Sequence, residues 1–199
     1  MDTSNNGEAN ELLYSPNSIE QGHADNDLKT YESMLGFDRK SLTGKQILDL
    51  GAGETDRLAR DLKAAEIDAN VIGLSPDFTT SSIMRPHRLL PEWKRNAVQG
   101  IAQRLPFKNE SFDIILGLYS VTYYSWYPEQ VKAWTSEIRR VLRDGGEARL
   151  GPVYRDDEAE RAFGKDYQYI KGIAKANNMK IEVNEWYILM RKSSQEVQK

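Results

Sequence analysis

Cysteine is absent from the 199 residues, and histidine occurs only twice, at His23 and His87. Without a thiol there is no disulfide framework and no thiolate metal site. Two histidines far apart in sequence would need carboxylates to complete a zinc site, and no ligand spacing supplies them, so no metal is expected. An excess of charge of one sign is lacking too. The net charge is -3, and nothing in it indicates a general nucleic-acid binder. No apolar run approaches the roughly 18 residues that suggest a membrane span. The stretch from Met1 to Asn10 has neither the basic start nor the apolar run of a signal peptide. The missing cysteine fits a reducing compartment, and the expected location is cytoplasmic.

What is present is ordinary for a globular protein: 39% hydrophobic and 29% charged residues. The length suits one domain with a real core. Residues 1–26 are rich in Asn, Ser, Gly and acidic residues, with Leu12, Leu13, Tyr14 and Ile19 as exceptions. They read as a polar tail or a lid. Residues 27–199 read as a single domain, without an internal repeat.

From Asp27 on, Leu28, Tyr31 and Leu35 stand at helical spacing, and Gly36 is a reasonable stop. Gln46 to Leu50 reads as a short buried strand, followed at once by a helix with Leu58, Leu62 and Ala65 on one face. Further strands are expected over Asn70–Leu74, Ala97–Ile101, Phe112–Leu118 and Glu147–Val153. Pro128 opens an amphipathic helix with Val131, Trp134, Ile138, Val141 and Leu142 on its inner face. Asp144-Gly145-Gly146 is expected as a turn, and a polar helix over about 156–178. Lys180 to Lys192 carries strand-forming residues, with a hairpin turning near Asn184-Glu185, so six or seven strands are expected. Alternating strands and helices imply an α/β fold: a Rossmann-like, doubly wound, mostly parallel sheet with helices on both faces and antiparallel strands at the C-terminus. Ligands of such sheets sit at the carboxyl ends of the strands, where the strand order reverses. Gly51, Ser75, Ile101 and Leu118 are therefore expected at one crevice.

The first strand ends in Asp49-Leu50-Gly51-Ala52-Gly53. Glycine reaches backbone angles that other residues avoid, and its missing side chain lets a ligand approach the chain. The helix behind it aims free N–H groups and a positive dipole end forward. Such a turn suits a pyrophosphate or the carboxylate of an amino acid. It is not a full dinucleotide fingerprint, since Thr55-Asp56 stand where a further glycine belongs, and it is not a P-loop.

Four segments in order carry a more specific pattern. Ile47-Leu48-Asp49-Leu50-Gly51-Ala52-Gly53-Glu54-Thr55 is the first, and Val71-Ile72-Gly73-Leu74-Ser75-Pro76-Asp77 the second. The third is Leu105-Pro106-Phe107 with Ser111-Phe112-Asp113-Ile114-Ile115, and the fourth runs from Glu137 to Gly146. In these segments the chain resembles the class I, S-adenosylmethionine-dependent methyltransferases.

The resemblance implies S-adenosylmethionine as cofactor, with the turn Gly51, Ala52 and Gly53 at its methionine part and Asp49 near the amino group. In that family an acid after the second strand binds the ribose hydroxyls. Ser75 stands there, with Asp77 two residues later as a substitute. Ile101 stands where an aspartate often binds adenine, followed by Ala102 and Gln103. Leu118 and Tyr119 are implied as cofactor neighbours, and the aromatic run from Tyr119 to Tyr127 as acceptor pocket or as cover for the sheet edge.

Methyl transfer from a sulfonium is an in-line displacement in which the protein aligns the partners and excludes water. An oxygen acceptor also needs a base. Tyr123 is the one candidate, although an ordinary phenol pKa near 10 makes it a poor base. A small-molecule acceptor is expected. The basic residues Arg85, His87, Arg88, Lys94 and Arg95 could meet an acidic substrate or a phosphate backbone, or form a solvated surface. Two other readings stay open. Ser75 and Ile101 fit a methyltransferase-like subunit that works through binding, with a protein partner. The sheet itself also fits a nicotinamide-dependent enzyme.

Overall fold

The computed structural model describes residues 26–53, 57–76, 96–124, 127–152, 170–184 and 186–193. Helix α1 (Leu28–Leu35) starts on Asp27, whose carboxylate accepts hydrogen bonds from the Thr30 backbone N–H at 2.8 Å and the Thr30 hydroxyl at 2.7 Å. The Thr30 hydroxyl bond, opposed by burial, holds the Asp27 carboxyl below its usual range. Gly36 closes the helix in the left-handed conformation, φ 62°. Leu28, Tyr31 and Leu35 are buried, as their spacing predicts. A 3-10 turn (Arg39–Leu42) leads into strand β1 (Gln46–Leu50), then α2 (Arg57–Ala64), β2 (Asn70–Ser75) and β3 (Ala97–Gln99). They are followed by β4 (Phe112–Leu118), the short helix α3 (Val121–Tyr124), α4 (Pro128–Val141), β5 (Leu142–Gly151), β6 (Met179–Val183) and β7 (Ile188–Lys192).

The strands form one seven-stranded sheet in the order β3-β2-β1-β4-β5-β7-β6. All pairings from β3 to β5 are parallel, and β7 is antiparallel to both β5 and β6. The sheet therefore has seven strands rather than six. β6 and β7 form the expected hairpin, closed where the Asn184 N–H donates to the Tyr187 carbonyl at 2.9 Å.

Side chains alternate between the two faces. Ile47, Ile114, Leu116 and Leu118 join α1 and α2 in one cluster. Leu48, Leu50, Ile115, Ala148 and Leu150 join the inner face of α4 and the helical residues 170–176 in the other. β1 and β4 are thus covered on both sides, which explains their continuous apolar runs.

Three expected boundaries shift. Strand β3 stops at Gln99, short of Gly100 and Ile101, where the chain turns and the Arg104 N–H donates to the Ile101 carbonyl at 3.1 Å. Leu142 belongs to β5 rather than to α4, and the glycines expected as a separate turn lie within that strand. Phe112 pairs with Leu142 and Ile114 with Glu147, so the extra residues of β5 form a bulge, with Gly145 at φ 75°. Of the polar helix expected over 156–178, residues 170–176 are helical and end in a turn at 177–178, while 153–169 lie outside the described residues.

One side-chain clamp fixes the segment between β3 and β4 on α4. The Leu105 N–H donates to Glu137 Oε2 at 2.7 Å. Arg140 donates to the carbonyls of Phe107 at 2.7 Å and Leu105 at 2.9 Å, and to both oxygens of Glu137. The Arg140 guanidinium holds the Glu137 carboxyl below its usual range, with burial opposing and the Leu105 N–H assisting. The folded carboxyl is therefore the stronger acid. Its contribution to stability is full above the unfolded value near 4.5 and is lost as pH falls through the lower folded value. We expect Glu137→Gln to lower stability at pH 7 by about 1–3 kcal/mol, a few degrees in Tm. Melting curves taken from neutral to acid pH should show the two proteins converging at low pH; a gap independent of pH would be the contrary result.

Candidate functional site

The strand order reverses between β1 and β4, the position where parallel sheets of this kind open a crevice at their carboxyl ends. At the end of β1, Gly51 has φ 85° and Gly53 φ 72°, both in the region that favours glycine. The N–H groups of Gly51 and Ala52 both donate to the Leu74 carbonyl, at 2.8 and 3.1 Å. The turn thus continues the β1–β2 ladder, and these two amides are engaged within the protein. The space beside Gly51 is also used internally. A Cβ there would lie 2.6 Å from Ser120 Cβ. The missing side chain that suggested close approach of a ligand admits Ser120 instead.

Asp49 is 3% exposed. Alternation along β1 turns it to the face of Ile47, toward α1, where the Tyr31 hydroxyl donates to its Oδ1 at 2.7 Å. A carboxylate taken out of water needs such a donor. Asp49 is therefore a buried carboxylate rather than a solvated turn residue. Tyr31 escaped the sequence reading as a site residue: its spacing marks it as core of α1, and only the fold brings its hydroxyl to β1.

Ser75 ends β2 and is buried, and its carbonyl accepts from the Gly100 N–H at 3.2 Å. Asp77 lies outside the described residues. After β3 the chain makes a tight turn, in which the Arg104 N–H donates to the Ile101 carbonyl at 3.1 Å. Ile101 is 51% exposed on this turn, Ala102 is buried and Gln103 half-buried. Hydrogen bonding links the ends of β1, β2 and β3 in series, so Gly51, Ser75 and the start of the 101–104 turn share one edge.

Beyond β4, Leu118 is buried against the α1 and α2 face. Tyr119 adopts φ 53°, unusual for a bulky residue, and its N–H donates to the Gly151 carbonyl at 2.7 Å. Ser120 and Thr122 are buried, and neither Ser120 Oγ nor Thr122 Oγ1 has a hydrogen-bond partner. Tyr123 falls in α3, but its side chain lies outside the described residues, as do residues 125–126 and the basic stretch from Arg85 to Arg95. Tyr127 is exposed. Among the described residues no cluster of His, Asp or Glu can hold a metal ion, and no helix is long and apolar enough to cross a membrane.

Residues 48–150, just over half of the chain, match the Methyltransferase domain family. The chain belongs to that family. S-adenosylmethionine is the cofactor that goes with it, and the seven-stranded sheet is the Rossmann-like methyltransferase fold. A phthiotriol/phenolphthiotriol dimycocerosates methyltransferase of Mycobacterium leprae is 32% identical over 106 residues, covering 53% of this chain and 37% of that protein. The match thus spans well under half of that relative. Human N-acetylserotonin methyltransferase, solved with S-adenosylmethionine, shares the fold with a TM-score of 0.59 and 12% identity, over 82% of this chain and 52% of that one. An S-adenosylmethionine-dependent methyltransferase from Methanosarcina mazei has a TM-score of 0.53 and 15% identity, over 76% of this chain and 93% of that one.

Two glycines separate backbone strain from crowding in this methyltransferase domain. Gly51 and Gly145 both have positive φ, but a Cβ at Gly145 meets nothing within 4 Å. Gly145→Ala should cost about 1–2 kcal/mol for the left-handed conformation alone. Gly51→Ala should cost about 1–3 kcal/mol more, because the new methyl group presses on Ser120. Chemical denaturation of the two variants checks this; equal losses would show that the crowding at Gly51 is absent.

Proposed function

We propose that the protein transfers a methyl group from S-adenosylmethionine to a small-molecule acceptor. The observation that carries this reading is the arrangement at the carboxyl ends of β1 and β4. A buried carboxylate held by Tyr31 and a turn with two glycines at positive φ stand there, at the reversal of the strand order. These groups suit the amino-acid end of S-adenosylmethionine, an ammonium beside a carboxylate. When bound, the cofactor supplies a methyl group on a sulfonium. The chain's own residues bind, orient and exclude water.

In this reading Asp49, held by Tyr31, supplies negative charge beneath the methionine part, and Gly51, Ala52 and Gly53 form the turn under it. Ser75 and Asp77 serve the ribose, while Ile101, Ala102 and Gln103 serve the adenine. The exposure of Ile101 supports an apolar contact at that end. Leu118 and Tyr119 border the methyl group. Tyr123 is the candidate base for an oxygen acceptor. The mycobacterial relative is named for transfer to phthiotriol and phenolphthiotriol dimycocerosates, which supports a small molecule as acceptor here. Residues 27–199 act as one domain, with 1–26 as tail or lid, and the work is done in the cytoplasm.

The decisive measurement is titration calorimetry of the full chain with S-adenosylmethionine, with NADH titrated in parallel. Saturable binding of S-adenosylmethionine alone, well below millimolar concentration, is the expected result. No binding at millimolar cofactor would overturn the enzyme reading in favour of a methyltransferase-like binding subunit. Binding of NADH instead would move the protein to nicotinamide chemistry.

A further inference from the structure

Among the described residues three large apolar side chains are exposed: Ile101, Tyr127 and Trp186, at 51%, 71% and 43%. The topology places all three at the carboxyl edge of the parallel strands. Ile101 follows β3. Tyr127 precedes α4, which returns from the end of β4 to the start of β5. Trp186 lies in the hairpin between β6 and β7, beside the end of β5. Scattered singly, such residues need no explanation. Gathered at the edge where the crevice opens, they do.

The backbone of Trp186 is held firmly. The Asn184 N–H donates to the Tyr187 carbonyl at 2.9 Å and closes the hairpin. The Trp186 carbonyl oxygen lies against Gly151, 2.8 Å from where a Cβ would stand, so the hairpin closes on the end of β5 only because a glycine is there. The next ring, Tyr187, is seated on Gly36 at the end of α1, with the Arg149 guanidinium 5.5 Å from its centroid. Of two adjacent aromatics, one packs into the domain and the other stands in solvent on a fixed backbone. The Gly151 carbonyl also accepts the Tyr119 N–H. Tyr119 and Trp186 therefore border Gly151 from the β4 side and the β7 side. Two strand spacings, roughly 10 Å, separate their backbones, so a molecule held beside Tyr119 lies within reach of the indole.

We propose, resting on the functional reading above, that Trp186 is a specificity-determining residue for the methyl acceptor. Its indole covers the apolar body of that molecule while the accepting atom lies toward the end of β4. Acceptors that carry a ring or an alkyl chain are thereby selected over small polar ones. An indole offers a large area to cover, and on a fixed backbone it loses little freedom when it is covered.

The test uses the full chain with saturating S-adenosylhomocysteine. Two probe alcohols, 1-naphthol and 1-octanol, are titrated by calorimetry into wild type, Trp186→Ala, Trp186→Gln and Trp186→Phe. Wild type should bind at least one probe saturably. Trp186→Ala and Trp186→Gln should each weaken that binding about tenfold, and Trp186→Phe should stay within about threefold. Kd for S-adenosylhomocysteine should move by less than about twofold, and Tm by less than about 2 °C, as for an exposed side chain. Probe binding unchanged in Trp186→Ala and Trp186→Gln would overturn the proposal. So would a wild type that binds S-adenosylhomocysteine but neither probe. Equal loss of affinity for probe and S-adenosylhomocysteine would assign Trp186 to the cofactor instead and overturn it too. Sedimentation velocity tests the other occupant: a wild-type dimer dissolved by Trp186→Ala would make the indole a contact between copies, against the proposal. If wild type does not bind S-adenosylhomocysteine, the functional reading itself fails and the proposal with it, and that result is seen without any variant.

Discussion

Ser120, just beyond β4, packs against both Gly51 and Gly117: a Cβ at Gly51 would stand 2.6 Å from Ser120 Cβ, and one at Gly117 2.7 Å from Ser120 Oγ. Much of the site follows from this one contact. Ser120 fills the space that Gly51 leaves. To bring Ser120 there, Tyr119 turns into the left-handed region and gives its N–H to Gly151 at the end of β5. On the other side, Gly51 and Ala52 give theirs to Leu74 in β2. Four parallel strands are tied at their ends through one crowded seam, and the crevice is built on it.

The core elements were legible because their physics is local. β1 and β4 are apolar runs covered on both faces, and α1 announces itself by a capping aspartate, three residues at helical spacing and a closing glycine. Boundaries that depend on distant packing were not legible. β3 loses Gly100 and Ile101 to the turn that the Arg104 N–H closes on the Ile101 carbonyl. Nothing in Leu142 to Gly146 reveals that Phe112 will pair with Leu142 across a bulge. At the site, the residue types at Asp49 and the glycine turn were readable, whereas their partners were not. Tyr31 is 18 positions from Asp49, and Ser120 is farther still from Gly51. A sequence shows which groups need partners; the fold alone chooses them.

The two ends of the proposed site differ in physical character. Around Asp49, Tyr31 and Ser120 the groups are buried and polar, so charge and hydrogen bonding decide what can settle there. At the other end Ile101 is an exposed apolar side chain, suited to recognition by contact area. The Glu137–Arg140 clamp lies next along the chain, fixing the backbone of Leu105 and Phe107 to α4.

The bulge in β5 lies at the amino end of the sheet, opposite the crevice. Beyond it the ladder runs regularly from Ile114–Glu147 to Leu118–Gly151. The chain therefore holds its slack at one end of a strand and its precision at the other. The irregular residues Arg143 to Gly146 all fall before the first regular pair, so the position of Gly151 beneath Tyr119 is set by the regular part of the ladder.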